Sequence, residues 1–269
     1  IFAINDEWHK DCLKIGETTL DEDNGDFLAP NSEVLQKAAR KRIDQYTKTA
    51  GIAYQLLYTE MTIFVKGGMI SSFNDKQVHS VLERSGINKK VFDAVKGANE
   101  WFCCDLETAI KAIKAVKNGQ TSLRPGDVST SHTPIVFRPE QQKAINDTIA
   151  QYQRGNKMLW NAKMRFGKTL SALQVVKQMG FRRTIIITHR PVVDSGWFED
   201  FDKIFYDSPE YAYGSKNNGE LFANLESNAK KGTGKYVYFA SIQDLRGSEE
   251  VGGKFDKNND IFSTKWDLV

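Results

Sequence analysis

The chain has 269 residues, of which 40% are hydrophobic and 26% charged, and its formal net charge is +3. Such a composition is typical of an ordinary globular protein with a substantial core. The small net charge excludes a strongly basic chain, so any nucleic-acid contact must come from a local basic patch. No apolar run approaches the ~18 residues of a membrane span, and we expect no membrane partner and a cytoplasmic location.

The three cysteines lack the spacing of metal ligands, because Cys103 and Cys104 are adjacent and Cys12 is distant. We therefore expect buried free thiols. The stretch 118–137, NGQTSLRPGDVSTSHTPIVF, has the composition of a linker. It divides the chain into a first domain at 1–117, a linker at 118–136 and a second domain at 137–269.

The first domain has a mixed pattern of strands and helices. Apolar runs at 1–4 and 12–15 predict a hairpin around a polar turn. The β-branched and aromatic run 53–65 predicts a strand, and a short strand is expected near residue 101. Helical spacing predicts three helices, at 32–48, at 75–84 and from the cap Asp105 to Gly119.

The second domain alternates helices with apolar strands, which indicates a parallel α/β sheet. A helix is predicted from Pro139 to Gly155 and another at 169–180, on either side of a loop. The predicted strands are 157–162, 184–188, 236–241 and 267–269.

The loop between these helices, AKMRFGKT at 162–169, ends in Gly-Lys-Thr. An apolar stretch precedes it and a helix begins at its lysine, which is the arrangement of a phosphate-binding loop. Gly167 allows close approach of the backbone, Lys168 would reach the β- and γ-phosphates, and Thr169 would hold Mg²⁺. The predicted ligand is ATP with Mg²⁺, and the alternative is an accidental Gly-Lys-Thr at a helix start.

This loop resembles the first motif of superfamily 2 helicases, the DEAD/DEAH-box group that includes type I restriction motor subunits. Ala162, Gly167, Lys168 and Thr169 match that motif, whereas Arg165 replaces a common glycine. We count Arg165 among the expected nucleotide-binding residues, with its charge directed at the γ-phosphate or at a second lobe, and the alternative is a pair with a local acid.

Upstream, FRPEQQKAI at 137–145 resembles the glutamine motif of the restriction branch. The resemblance implies that Gln141 reads the adenine edge while Arg138 shapes the turn. The alternative for Gln141 is a solvated helix residue.

Two downstream stretches resemble nucleic-acid-contacting motifs of the same superfamily. In 184–201 the resemblance implies a loop that grips the DNA backbone through Arg190. We expect Trp197 to pack under the following helix, and the alternative is contact with a base. In 237–247 it implies Ser241 and Gln243 near a bound strand, and either residue could equally cap a loop.

The likeness covers 137–269, about one RecA-like lobe. KWDLV at 265–269 resembles the entry to the acidic motif, so we expect a fragment of a longer translocase that binds ATP weakly without turnover.

The first domain resembles GIY-YIG nucleases of the phage type. The likeness rests on CLKIGETT at 12–19, KRIDQY at 41–46, FNDKQVHSVL at 73–82 and NEWF at 99–102. It implies phosphodiester hydrolysis by Arg42, His79 and Lys14, with Glu100 or Asp75 as the ligand of one metal ion. The tyrosines of the family fall at Phe2 and Lys14, so Tyr46, Tyr54 or Tyr58 is left as a substitute.

Each of these residues also has a non-catalytic interpretation. Arg42 lies in a charged run typical of a solvated helix face, His79 lies between valines, and Glu100 precedes a strand. Three alternatives therefore stay open for the first domain: an active nuclease, a DNA-binding domain without nuclease activity, and a scaffold.

The fold class we expect is α/β, with a small α+β GIY-YIG-like domain before an incomplete RecA-like lobe. The function we expect is that of an ATP-dependent translocase and endonuclease acting on double-stranded DNA with other restriction subunits. The alternatives are a helicase whose first domain only binds nucleic acid, and a nucleotide-binding switch or kinase.

Overall fold

The computed structural model describes residues 1–20, 27–92, 100–124, 126–127, 135–189, 195–255 and 257–269. The chain separates into two compact units, Ile1–Leu123 and Arg124–Val269. The division falls within the stretch 118–136 whose composition is that of a linker. Among the described residues, no helix is long and apolar enough to cross a membrane.

The first unit contains antiparallel sheets and helices. Its strands are β1 Phe2–Ala3, β2 Leu13–Lys14, β3 Gln55–Leu56, β4 Ile63–Lys66, β5 Met69–Ser72 and β6 Trp101–Phe102, and its helices are α1 Glu33–Thr47, α2 Asp75–Arg84 and α3 Leu106–Asn118. One sheet has the order β3-β1-β2-β6, and β4 pairs with β5 in a separate hairpin. The predicted hairpin of the first two strands is confirmed, with Phe2 opposite Lys14.

The predicted strand at 53–65 is two strands in different sheets. Leu56 of β3 pairs with Phe2, whereas Ile63 of β4 pairs with Ser72 of β5. The run is apolar on both sides of the break, so its periodicity does not show where pairing changes. The turn of Gly67 and Gly68, both with positive φ, is the local signal of the β4–β5 hairpin that the sequence reasoning missed.

Two helices of the first unit, α2 and α3, have side-chain caps at their starts. The Asp105 carboxylate accepts the Thr108 amide at 2.7 Å before α3, and Gly119 ends that helix in the left-handed conformation with φ 76°. Asn74 caps α2 through a capping box with Gln77. Local hydrogen bonding therefore determines these boundaries.

The cysteines differ from the expectation of free thiols. Cys12 and Cys103 form a disulfide that joins the start of β2 to the end of β6. The antiparallel register pairs Leu13 with Phe102, which places the two cysteines opposite each other. Cys104 is free, and burial, with a smaller effect of the Asp105 charge, raises its pKa to about 12. The expectation was wrong for Cys12 and Cys103 because strand register is a long-range property.

The second unit contains a parallel sheet with helices. Its helices are α4 Pro139–Tyr152, α5 Lys168–Met179, α6 Ser195–Phe205, α7 Phe222–Lys230, α8 Ile242–Leu245 and α9 Asn259–Ser263, its strands are β7 Arg183–Thr188, β8 Tyr211–Ser215 and β9 Lys235–Ser241, and a short 3-10 helix spans Glu249–Val251. The strand order is β7-β9-β8, with all pairs parallel. Leu268 adds a parallel bridge to Thr184 of β7.

The central strand β9 is buried on both faces, as expected of a parallel sheet covered by helices. Val237 and Phe239 pack with α5 and α6 on one face, and there the Trp197 ring lies 4.6 Å from the Phe239 ring. Tyr236 and Tyr238 pack with α7 on the other face. The packing role predicted for Trp197 is confirmed.

Residues 157–162, predicted as a buried strand, form no strand in the structure. Leu159 is 91% exposed. A strand needs a hydrogen-bonded neighbour, and no strand in the described ranges pairs with this segment. The Trp160 indole instead donates to the Thr148 hydroxyl at 2.7 Å, which fastens the segment to α4.

Candidate nucleotide-binding loop and candidate nuclease cluster

The loop 162–169 leads into α5, whose first residue is Lys168. Gly167 precedes the helix in the left-handed conformation with φ 85°, which glycine adopts readily. The Lys168 ammonium donates to the Lys163 carbonyl at 2.8 Å, so it folds back across the loop. The N–H groups of the first turn of α5 have no partners within the helix, as at any helix start, and they favour an anion.

Two side chains of the α4 start hold the carbonyl groups of this loop. The Arg138 guanidinium donates to the carbonyl oxygens of Arg165 at 3.1 Å and Phe166 at 2.7 Å. The Gln141 amide also donates to the Phe166 carbonyl, at 2.7 Å. Because a trans peptide directs its C=O and N–H to opposite sides, the Gly167 N–H points away from α4. The sequence pattern predicted a role for Arg138 in the turn but not this contact with the loop.

Gln141 is buried, with 7% of its surface exposed, and both its amide oxygen and its nitrogen are engaged. The oxygen accepts the Arg138 amide at 2.8 Å while the nitrogen donates to the loop. A Cβ added at Gly167 would lie 2.5 Å from the Gln141 nitrogen. The backbone angle therefore favours glycine at 167, and a larger residue there would displace the Gln141 amide from the loop. The interpretation of Gln141 as a solvated helix residue is wrong, and its contact with adenine stays a prediction.

The remaining residues of the loop have simpler environments. Ala162 is half-buried before the turn, and Thr169 is half-buried in the first turn of α5. Thr169 offers one hydroxyl oxygen to a Mg²⁺ ion, which commonly takes its other ligands from phosphate and water. This donor set fits a nucleotide-bound Mg²⁺, and the assignment stays a prediction. Arg165 is exposed with φ 61°.

The predicted contacts with nucleic acid have different outcomes. Arg190 lies outside the described residues. Ser241 is fully buried, and its hydroxyl donates to the Asp244 carboxylate at 2.6 Å and accepts the Asp244 amide at 3.0 Å. The Ser241 side chain thus takes the capping role that was its alternative, and its contact with a bound strand stays a prediction. Gln243 is exposed on α8, and its contact with a strand stays a prediction.

In the first unit, Lys14 and Glu100 form an ion pair with 3.2 Å between the ammonium and a carboxylate oxygen. The pairing of Lys14 with Trp101 across β2 and β6 puts Glu100 at the same end of this strand pair. The Lys14 ammonium also lies 4.6 Å from the centre of the Tyr46 ring. A Cβ at Gly16 would be 3.7 Å from the Glu100 carboxylate, so Gly16 also lies beside this ion pair.

Arg42 and Tyr46 lie four residues apart on α1 and therefore on one face. Burial raises the pKa of the Tyr46 phenol, the Glu100 charge raises it further, and the Arg42 charge opposes this. Those influences place Arg42, Tyr46 and Glu100 in one electrostatic neighbourhood. In the sequence Tyr46 is one of three candidate tyrosines, and its i, i+4 spacing from Arg42 is the signal that selects it. We call Lys14, Arg42, Tyr46 and Glu100 the ion-paired cluster.

His79 bonds the backbone next to Lys14. It is buried on the inner face of α2, with Nε2 2.8 Å from the Ile15 carbonyl oxygen and its ring against Phe102. The apolar face of α2 carries His79 inward, which favours the packing alternative, and its catalytic role stays a prediction.

The alternative metal ligand, Asp75, lies in the first turn of α2. Its own amide donates to the Glu17 carboxylate at 3.4 Å. Within the described ranges, no three His, Cys, Asp or Glu residues group as a metal site. The donor set of the ion-paired cluster is thus a single carboxylate, Glu100, which fits one weakly held divalent ion and no more.

Comparison with known proteins bears on the second unit. Residues 134–265 match the model of the family described as Type III restriction enzyme, res subunit. The search of curated proteins and the search of solved structures each return no match. The motifs resembled those of type I motor subunits, whereas the matched family is the type III subunit. Residues 134–265 thus form a superfamily 2 helicase-like region similar to the res subunit of restriction enzymes, which suggests an ATP-dependent motor function.

Proposed function

We propose that the second unit binds ATP with Mg²⁺ at the loop 162–169 and belongs to an ATP-dependent translocase of double-stranded DNA. One observation carries this proposal. Arg138 and Gln141 hold the loop carbonyl groups on one side, within the region that matches the res-subunit family. The other side of the loop therefore presents N–H groups and Lys168 to an anion.

ATP binding exchanges one contact of Lys168 for another. In the structure its ammonium bonds the neutral Lys163 carbonyl at 2.8 Å. A phosphate oxygen carries negative charge and makes a stronger, charge-assisted hydrogen bond with an ammonium. Lys168 thus turns from the carbonyl to the β- and γ-phosphates, and Thr169 offers its hydroxyl to the Mg²⁺ ion.

Titration with ATP and Mg²⁺ tests this site. Lys168→Ala should weaken ATP binding roughly 10- to 100-fold, the value of one hydrogen bond to a charged group. The matched control is Lys157→Ala, which removes an exposed lysine outside the loop. Equal ATP affinity in the wild-type chain and Lys168→Ala would contradict the proposal.

Double-stranded DNA is the proposed partner of the motor, with Gln243 and Arg190 among its contacts. ATPase of the full-length protein should rise with double-stranded DNA and not with small substrates. The ATPase of a kinase or nucleotide switch would instead rise with small substrates and not with double-stranded DNA. Extensive strand displacement would favour the unwinding helicase, because a restriction motor moves along duplex DNA without separating much of it.

For the first unit we propose phosphodiester cleavage at the ion-paired cluster. The cluster joins one carboxylate, two cations and a phenol from β2, α1 and the start of β6. The Glu100 carboxylate would hold a divalent ion, which supplies charge for the phosphate and activates water. Arg42 would neutralise the scissile phosphate with its planar guanidinium.

Tyr46 serves this reaction as a hydrogen-bond donor. Burial raises the pKa of its phenol above the usual 10.0, so the hydroxyl keeps its proton near pH 7. A protonated phenol donates to a phosphate oxygen and does not take a proton from water. That leaves Lys14, next to Glu100, to orient the attacking water or the carboxylate.

Nicking of supercoiled plasmid with Mg²⁺ or Mn²⁺ tests this second proposal. Glu100→Gln and Arg42→Ala should each abolish nicking, whereas Glu107→Gln, an exposed acid of α3, is the matched control. DNA binding without nicking in the wild-type chain would favour the binding-only alternative. If the wild-type chain neither binds nor nicks DNA, the scaffold is the alternative that remains.

A further inference from the structure

We propose that Arg165 is a further phosphate-binding residue of the loop 162–169, and that its guanidinium contacts the terminal phosphate of the nucleotide. This inference rests on the proposed ATP site. The res-subunit family match supports that site independently of the geometry of the loop.

The backbone of Arg165 adopts a conformation that its residue type disfavours. Its φ is 61°, in the left-handed region that glycine occupies freely. The other described non-glycine residues with positive φ are Asp11, Asn31 and Asn258. Asp and Asn tolerate this region because their short polar side chains bond locally, whereas arginine has no such advantage. Strain of this kind is common at ligand sites.

The side chain of Arg165 adds to a local excess of positive charge in and around the loop. Residues 157–171 contain Lys157, Lys163, Arg165 and Lys168 and no acid. The Arg138 guanidinium anchors the Arg165 carbonyl at 3.1 Å, while the Arg165 side chain is exposed. The main chain is thus held and the guanidinium is left at the surface of the loop.

The position of Arg165 within the loop gives it access to the same phosphates as Lys168. The bond from the Lys168 ammonium to the Lys163 carbonyl closes a ring of backbone that contains Arg165. A nucleotide that replaces this bond places its phosphates at the mouth of that ring. A guanidinium bonds phosphate through two parallel N–H groups, which suits it to a terminal phosphate with free oxygens.

The test separates backbone strain from phosphate contact. Arg165→Gly removes the cation and relieves the strain, so it should weaken ATP binding about 10-fold while leaving the melting temperature unchanged or raised. AMP, which lacks the terminal phosphates, should bind wild-type chain and variant equally. Arg165→Lys keeps the charge but loses the planar fork, and we expect a loss of about 3-fold.

Two control variants complete the test. Lys157→Ala removes a nearby exposed cation and should keep ATP affinity, and Asp11→Gly relieves a positive φ in the first unit without affecting ATP. Equal ATP affinity in wild-type chain and Arg165→Gly would overturn this inference alone, as would equal losses for ATP and AMP. No ATP binding by the wild-type chain would overturn the proposed ATP site and this inference with it.

Discussion

The two units build their candidate sites from different parts of the chain. In the second unit the loop 162–169 is shaped by backbone groups, and Arg138 and Gln141 hold its carbonyl oxygens. In the first unit the ion-paired cluster consists of side chains that strand pairing and one helix bring together. A site made of backbone needs glycine and a continuous motif, whereas a site made of side chains leaves only scattered residues in the sequence.

The units also differ in what stabilises them. Strands of two to four residues form the sheets of the first unit, which a disulfide reinforces. The second unit has longer parallel strands around the doubly buried β9 and contains no cysteine. Mutations that remove covalent, packing or electrostatic contacts should therefore change the stability of the two units to different extents.

Loss of the disulfide should have the largest effect. Cys12→Ser should lower the free energy of unfolding of the first unit by about 3 kcal/mol, because the bond joins residues 91 apart in sequence. Hydrogen exchange measured with and without a thiol reductant should show faster exchange in β2 and β6 and no change in β9. Cys104→Ser is the control, and equal effects in both units would contradict the contrast.

Gly167→Ala should come next. The new Cβ would lie 2.5 Å from the Gln141 nitrogen, and φ is +85°, so we expect a loss of about 2 kcal/mol and at least ~10-fold weaker ATP binding. Gly180→Ala is matched, since φ is +69° and the Cβ meets only the Lys235 ammonium at 3.7 Å. Thermal unfolding and ATP titration measure both, and equal losses would remove Gln141 from the explanation.

Removing an ion pair should lower the free energy of unfolding by less than the two changes above. Burial opposes ionisation of Glu226, but hydrogen bonds from Arg183 and Tyr236 outweigh it and lower the pKa of its carboxyl below 4.5. Because the folded-state pKa is below the unfolded value, this stabilisation is present above pH 4.5 and lost as the pH falls further.

Glu226→Gln should therefore cost about 1.5 kcal/mol at pH 7 and flatten the acid dependence of stability. The Lys14–Glu100 pair is more exposed, so Glu100→Gln should cost less than ~1 kcal/mol. Urea unfolding at pH 7 and pH 3.5 measures the difference. A larger cost for Glu100→Gln would reverse the comparison.

Gln243→Ala should have the smallest effect on stability, which distinguishes Gln243 from Ser241. Ser241→Ala removes a buried cap and should cost about 1 kcal/mol, whereas exposed Gln243→Ala should change stability by less than ~0.5 kcal/mol. Denaturant unfolding checks both. If Gln243→Ala weakens binding of duplex DNA and Ser241→Ala does not, the assignment of roles is sharpened.

Local signals in the sequence determined much of the architecture. Asp105 and Gly119 predicted α3, Pro139 predicted the start of α4, and apolar runs predicted β7 and β9. The loop 162–169 was visible for the same reason, since its glycine, lysine and helix start are contiguous. Each of these features depends on bonds within a few residues, which a single sequence contains.

Tertiary structure alone decided the remaining features. The run 53–65 is divided between two sheets, Cys12 meets Cys103, and His79 turns inward while Tyr46 joins Lys14. Strand register and helix packing place such residues, and both depend on groups tens of residues apart. Sequence therefore determined which local elements form and where the loop lies, whereas long-range pairing decided which side chains share a site.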